Sequence, residues 1–222
     1  MVSPAPSDPA QEVLWAGVRG RVGWDIGANS GESLVRMARL FSQVLCAEPC
    51  LESFTALRRT AACITVGCKI DLLPGAVAAH DGFLRMSARI GPIATGQLTP
   101  DVAGHEPPDG DWGSWGPPVE AREIPCLTAD TIASQYGVPD FIKVDTEGHE
   151  AMVLAGAKKL LTGAAPPGWL IEFHSRELYD ECLRALAWAG YGTVRTLRHP
   201  HYEPGSPLWH MHGWIRAQHA SD

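Results

Sequence analysis

The sequence has no apolar run long enough to span a bilayer, so no segment is expected to cross one. The first ten residues, M-V-S-P-A-P-S-D-P-A, lack the basic region and apolar core of a secretory leader. Basic residues are in deficit. Lys and Arg number 18 against 25 Asp and Glu, a formal net charge of -7, which argues against a polyanion partner such as nucleic acid. None of the six cysteines (Cys46, Cys50, Cys63, Cys68, Cys126, Cys182) is spaced C-x-x-C, so zinc-site spacing is missing too. They fall mostly in apolar stretches and read as reduced, buried thiols of a cytoplasmic protein. The 222 residues suffice for one domain with a sizeable core.

What is present is organised around V-G-W-D-I-G-A-N-S-G, Val22 to Gly31. Val22, Trp24 and Ile26 read as a buried parallel strand, followed by glycines and then an amphipathic segment. Strand, glycine turn and helix in that order make the place where open α/β sheets bind nucleotides. The spacing D-x-G-x-x-x-G lacks the second glycine of G-x-G-x-x-G, so a pyrophosphate fits poorly. A phosphate-free ligand such as S-adenosylmethionine fits better. Asp25, Gly27, Asn29 and Gly31 are the cofactor-binding candidates here, with Asp25 placed to meet a ligand ammonium. Val44 to Ala47 reads as a second strand ending in Glu48, an acid placed to accept hydrogen bonds from ribose hydroxyls.

A third stretch, P-D-F-I-K-V-D-T-E-G-H-E (Pro139 to Glu150), runs strand into helix and is followed by L-I-E-F-H (Leu170 to His174). With D-I-G-A-N-S-G and A-E-P, it resembles the FkbM family of S-adenosylmethionine-dependent methyltransferases over roughly residues 22–174. The resemblance implies an α/β fold of the Rossmann-like class I methyltransferase type. Its seven-stranded, mostly parallel sheet would carry a C-terminal antiparallel hairpin and helices on both faces. It implies O-methylation of a hydroxyl on a small molecule, a secondary metabolite or a sugar. Val77 and Ala78 become candidates for lining the adenine pocket. Asp145, at the end of the fourth strand, would position cofactor or substrate, and Glu147 would face the substrate. His174, ending the fifth strand, is the favoured general base, since an imidazole titrates near neutrality. His149 is its rival. Glu150 reads as helix surface or a cap, and Lys143 as an ion-pair partner for a carboxylate such as Glu172.

Residues 1–20 are expected to form a loose arm and a short helix packing Val13, Leu14 and Val18, leaving no room for a large N-terminal cap. Residues 21–222 form the single domain. Leu34, Val35, Ala38 and Phe41 give the first helix its apolar face, with Asn29 or Ser30 at its cap. Leu51, Phe54 and Leu57 face inward from the second, and a third strand runs within 64–73. Asp81-Gly82 reads as a hairpin turn and Glu120 to Ile124 as an edge strand. The helix after the fourth strand should run unbroken to Leu161.

Residues 87–118, rich in glycine and proline, form an irregular insertion whose Trp112 and Trp115 suit a lid, a homodimer contact or local packing. His199, His201, His210 and His212 lie without patterned carboxylates or cysteines, so no metal is expected. Two other readings stay open: a nucleotide-dependent Rossmann enzyme, and a non-catalytic partner subunit of the same fold.

Overall fold

Strand β1 (Gly20–Ile26) is an inner strand of the main sheet. A computed structural model describes residues 9–88, 96–98, 120–165, 167–198 and 213–219. Around β1 lie β2 (Phe41–Ala47), β3 (Lys69–Leu73), β8 (Phe141–Val144) and β9 (Gly168–Phe173), all parallel. The edge is closed by β10 (Tyr191–Arg198) and β11 (Gly213–His219), with β11 antiparallel to both β10 and β9. The order is β10-β11-β9-β8-β1-β2-β3, the seven-stranded sheet with a terminal hairpin that the sequence led us to expect.

Successive side chains of a strand point to opposite faces, and this divides the core in two. Val22, Trp24 and Ile26 join Leu45, Ile142, Val144, Trp169 and Ile171 on one face. That face is covered by α4 (Ala129–Tyr136), α5 (Glu150–Ala155), α6 (Lys158–Thr162) and α7 (Arg176–Trp188). The other face holds Val44, Phe141 and Leu170. It is packed by α1 (Pro9–Trp15), α2 (Glu32–Leu40) and α3 (Leu51–Ala62) through Leu14, Leu34, Met37 and Leu57. A Cβ on Gly23 would come within 2.7 Å of the Phe41 ring, so the glycine lets this layer approach β1.

Several expectations about the elements are corrected. Phe41 opens β2 instead of closing α2, because the chain is already extended there (φ -128, ψ 150). Gly31, in the left-handed region (φ 92), stands at the N-cap where Asn29 or Ser30 was expected, and no side chain caps α2. Val13 and Leu51 are exposed, whereas Leu14, Val18 and Leu57 are buried as read. The helix after β8 breaks into α5 and α6 at Gly156, whose Cβ position lies 2.0 Å from the carbonyl oxygen of Ala78. The third strand covers only Lys69–Leu73 of the stretch 64–73.

A second sheet is new. Its order is β4-β7-β5-β6, from β4 (Ala76–Val77), β7 (Glu120–Leu127), β5 (Gly82–Ala88) and β6 (Gly96–Leu98). Here β7 pairs with β5 along 120–126 and with β4 only at Cys126 and Leu127, so among the described residues 120–124 keeps one unpaired side, as the edge-strand reading expected. Asp81-Gly82 is not a two-residue hairpin turn. The Asp81 carboxylate instead accepts hydrogen bonds from the Thr128 amide (2.6 Å) and the Thr131 hydroxyl (2.7 Å) at the start of α4. Trp112, Trp115, His199, His201, His210 and His212 lie outside the described residues.

Candidate functional site

The carboxyl ends of β1, β2, β8 and β9 meet on one rim. The turn after β1 is built by backbone. Gly27 and Ala28 donate amides to the Ala47 carbonyl (2.9 and 3.1 Å), and Asp145 donates its amide to the Ile26 carbonyl (2.9 Å). Gly27 has φ 76, and a Cβ there would sit 1.7 Å from the Asp145 carbonyl oxygen, so the crossing of the β1 and β8 ends admits only glycine. Asn29 is also left-handed (φ 47), and its amide donates to Glu48 Oε2 at 2.9 Å. The other oxygen, Oε1, accepts from the Cys50 amide at 2.8 Å. Glu48 thus ties the turn to the end of β2. Burial raises its pKa against the pull of the two amides. On α3, Leu57 and Thr60 close against Gly31, and the Thr60 hydroxyl donates to the Ser30 carbonyl at 2.7 Å.

Asp25 and Lys143 are register partners on neighbouring strands and therefore share a face. The Lys143 ammonium lies 3.4 Å from Asp25 Oδ1 and 3.2 Å from Asp145 Oδ2. Lys143 is an ion-pair residue as read, but its contacts are Asp25 and Asp145, with Glu172 acting on it through charge. Burial pulls its pKa down, and the three carboxylates more than reverse this. Asp25 is fully buried, so its direct pair is this lysine rather than an accessible ligand site.

The loop after β8 carries Glu147 at φ 54 and Gly148 at φ 110. A left-handed glutamate is unusual and marks backbone strain. The strain is held by Glu150, which is fully buried rather than on the helix surface. One oxygen, Glu150 Oε1, accepts from the Thr146 amide and hydroxyl (3.1 Å each) and from the Gly148 amide (3.0 Å). The same oxygen lies 3.0 Å from His174 Nδ1. The other ring nitrogen, Nε2, lies 3.7 Å from Asp145 Oδ1 and 3.5 Å from Glu147 Oε2. The structure therefore brings Asp145, Glu147 and His174 together and adds Glu150, which the sequence reading missed.

Burial pulls the His174 pKa down, but Glu150, Glu147 and Asp145 push it up to about 9. Carboxylates at both ring nitrogens thus favour the imidazolium over the neutral ring. Asp145 is pushed up to about 6, chiefly by burial, with Lys143 opposing. The donor atoms of Asp145, Glu147 and His174 lie within 4.8 Å of one another. His149 sits apart. It is buried at the N-cap of α5, and burial lowers its pKa. Val77 and Ala78 are also buried, in two different core clusters, with the Ala78 amide donating to the Leu127 carbonyl at 2.9 Å.

Among the described residues no helix is long and apolar enough to cross a membrane. Comparison with protein families gives a match to the one described as Methyltransferase FkbM domain over residues 25–203. Searching the curated proteins by sequence gives no match. Among solved structures, Methyltransferase FkbM from Methylobacillus flagellatus KT superimposes with a TM-score of 0.61 at 16% identity, covering 91% of this chain and 46% of that one. This chain therefore spans about half the length of that relative. Precorrin-6y C5,15-methyltransferase from Geobacter metallireducens GS-15 gives a TM-score of 0.55 at 12% identity, covering 98% and 91%. Aeropyrum pernix fibrillarin gives 0.53 at 12% identity, covering 94% and 73%. At these identities the structures establish a shared fold.

Proposed function

The chain belongs to the FkbM methyltransferase family, whose members depend on S-adenosylmethionine, and from that premise we propose that it methylates a hydroxyl oxygen of a small molecule, a secondary metabolite or a sugar. The observation that carries the reading is the row of acids on one rim. Glu48 follows β2, and the partly exposed Asp145 and Glu147 follow β8. A pyrophosphate would meet carboxylates there, whereas a cationic ligand meets its counter-ions. This disfavours the dinucleotide reading and suits a sulfonium.

When bound, the cofactor supplies a methyl group that is already electrophilic, so no covalent enzyme intermediate is required. The chain's own residues then have three tasks. The turn at Gly27, Asn29 and Gly31 offers backbone close to the ligand, and Glu48 offers acceptors for a diol. The carboxylates of Asp145 and Glu147 balance positive charge and orient the acceptor. His174 takes the hydroxyl proton at Nε2 once that nitrogen is unprotonated. All six cysteines are free, which fits a reducing, cytoplasmic setting.

Calorimetric titration with S-adenosylhomocysteine, with NAD as control, tests the reading. Micromolar binding of the first alone supports it. A screen of hydroxylated acceptors with His174→Ala and Glu147→Ala then tests the assigned roles. Cofactor binding with no turnover on any acceptor would favour a partner subunit that kept the fold, and binding of neither ligand to folded protein would end the methyltransferase reading.

A further inference from the structure

His174 is surrounded by acid. Asp145 and Glu147 face it from the loop after β8, and Glu150 from α5. Behind them, Lys143 of β8 is shared between Asp25 and Asp145, Glu172 of β9 acts on Asp145 by charge, and Cys182 of α7 faces Glu150. Five carboxylates are set against two cations, Lys143 and the imidazolium. Lys143 is held between Asp25 and Asp145, and the cation at the partly exposed pair of Asp145 and Glu147 is His174.

We propose that Asp145 and Glu147 form one cation site used in turn by two occupants: the His174 imidazolium in the free protein, and the positive charge of S-adenosylmethionine in the complex, whose arrival drives the His174 proton into solvent. The inference rests on the methyltransferase reading above. Its basis is geometric. The two carboxylates at Nε2 are partly exposed (26% and 41%) and open to a ligand, whereas Glu150 at Nδ1 is fully buried. A second positive charge at the open pair opposes the imidazolium, so the proton is lost. Glu150 stays in place and keeps the remaining proton on Nδ1, which leaves the lone pair on Nε2, facing the rim. Glu150 is thus a positioning residue that selects which nitrogen becomes the base. The arrangement resolves a conflict in the free protein, where the carboxylates favour the protonated ring, because the cofactor itself would arm the base.

The prediction separates S-adenosylmethionine from S-adenosylhomocysteine, which share every group except the charged methyl-bearing sulfur. Titration calorimetry of the full chain at pH 7.5, in phosphate and in Tris, reads proton release from the difference in buffer ionisation heat. S-adenosylmethionine is expected to release up to one proton more than S-adenosylhomocysteine. The affinity ratio in favour of the charged ligand should rise with pH, approaching about tenfold per pH unit until the free imidazolium titrates near pH 9. In His174→Gln both the excess proton and the slope should vanish. Glu147→Gln should reduce the preference for the charged ligand. Should a variant not fold, histidine ring nitrogen shifts of the wild-type protein with each ligand carry the same test.

Equal proton release by the two ligands would overturn the proposal, as would an excess proton that survives in His174→Gln. Failure of both ligands to bind would instead overturn the methyltransferase reading.

Discussion

The two halves of the rim are held together by different means. The β1–β2 half is a backbone construction: glycine turn, strand-end amides and Glu48 receiving two of them. The β8–β9 half is a side-chain construction, in which one buried glutamate gathers a strained loop and a histidine 24 residues away. A site built on backbone hydrogen bonds is rigid, which suits holding a cofactor. A site of competing charges changes with what enters it, which suits handling a proton. They meet where β1 lies beside β8, most tightly where Gly27 passes under the Asp145 carbonyl.

That crossing is where the largest effect should appear. Gly27→Ala places a Cβ 1.7 Å from the Asp145 oxygen at φ 76, so turn and loop must both move. The expected loss is roughly 3–5 kcal/mol from overpacking and strain together, read as a lowered urea midpoint. Cofactor affinity should fall with it. A stable Gly27→Ala protein with unaltered binding would show the halves to be independent.

Glu150→Ala should come next, at about 3 kcal/mol, because it strips a buried carboxylate from three donors and a cation. The loop at Glu147 should then relax from its left-handed conformation. Glu150→Gln keeps an acceptor for the loop while removing the charge, so it should retain more stability and lower the His174 pKa. If both variants behaved alike, the charge at Nδ1 would be irrelevant and the hydrogen bonds to the loop would be the whole role of Glu150.

A smaller effect is expected from pH alone. The folded-state pKa of His174 is raised, so its contribution is fully present below the ordinary value of 6.5 and is lost as pH rises through about 9. The raised pKa of Asp145 works in the same direction over a lower window, with loss as pH rises from 3.8 through about 6. Glu150 is opposite in sign. Its pKa is lowered, so its contribution is present above 4.5 and is lost as pH falls below that. Unfolding free energies from urea titrations should therefore decline on the alkaline side by on the order of 2 kcal/mol, after discounting for the part-exposed Glu147 partner. His174→Gln should flatten that alkaline decline and leave the acid limb, and an unchanged decline in the variant would assign it to other groups.

The same contrast explains what was legible. The first half is local in sequence: D-I-G-A-N-S-G and the acid after the next strand sit within 24 residues, and glycines at strand ends announce the turn. The central strands were legible because β1, β8 and β9 are buried on both faces and read as apolar runs. The second sheet was not, because β4 and β5 find their shared partner β7 only some forty residues later. Glu150 was read as helix surface or a cap. It does take loop amides at the start of α5, but its bond to His174, 24 residues on, depends on the return of β9. The break at Gly156 also depends on a distant contact, the Ala78 carbonyl.

Leu51 gives the smallest effect and tests the opposite error. Periodicity assigned it to the buried face of α3 with Phe54 and Leu57, yet it is 64% exposed while Leu57 is fully buried. The difference is position along the helix: Leu51 is the first helical residue, just beyond Cys50, and extends past the layer that Leu57 fills. Leu51→Ala should change stability by no more than about 0.5 kcal/mol, whereas Leu57→Ala should cost about 2–5 kcal/mol through the cavity it leaves. Leu51 also stands three residues from Glu48 on the rim of the backbone-built half. If Leu51→Ala weakened S-adenosylhomocysteine binding while leaving the urea midpoint unchanged, the exposed leucine would belong to the ligand-facing surface of that half. No change in either would leave it an ordinary solvent-facing residue.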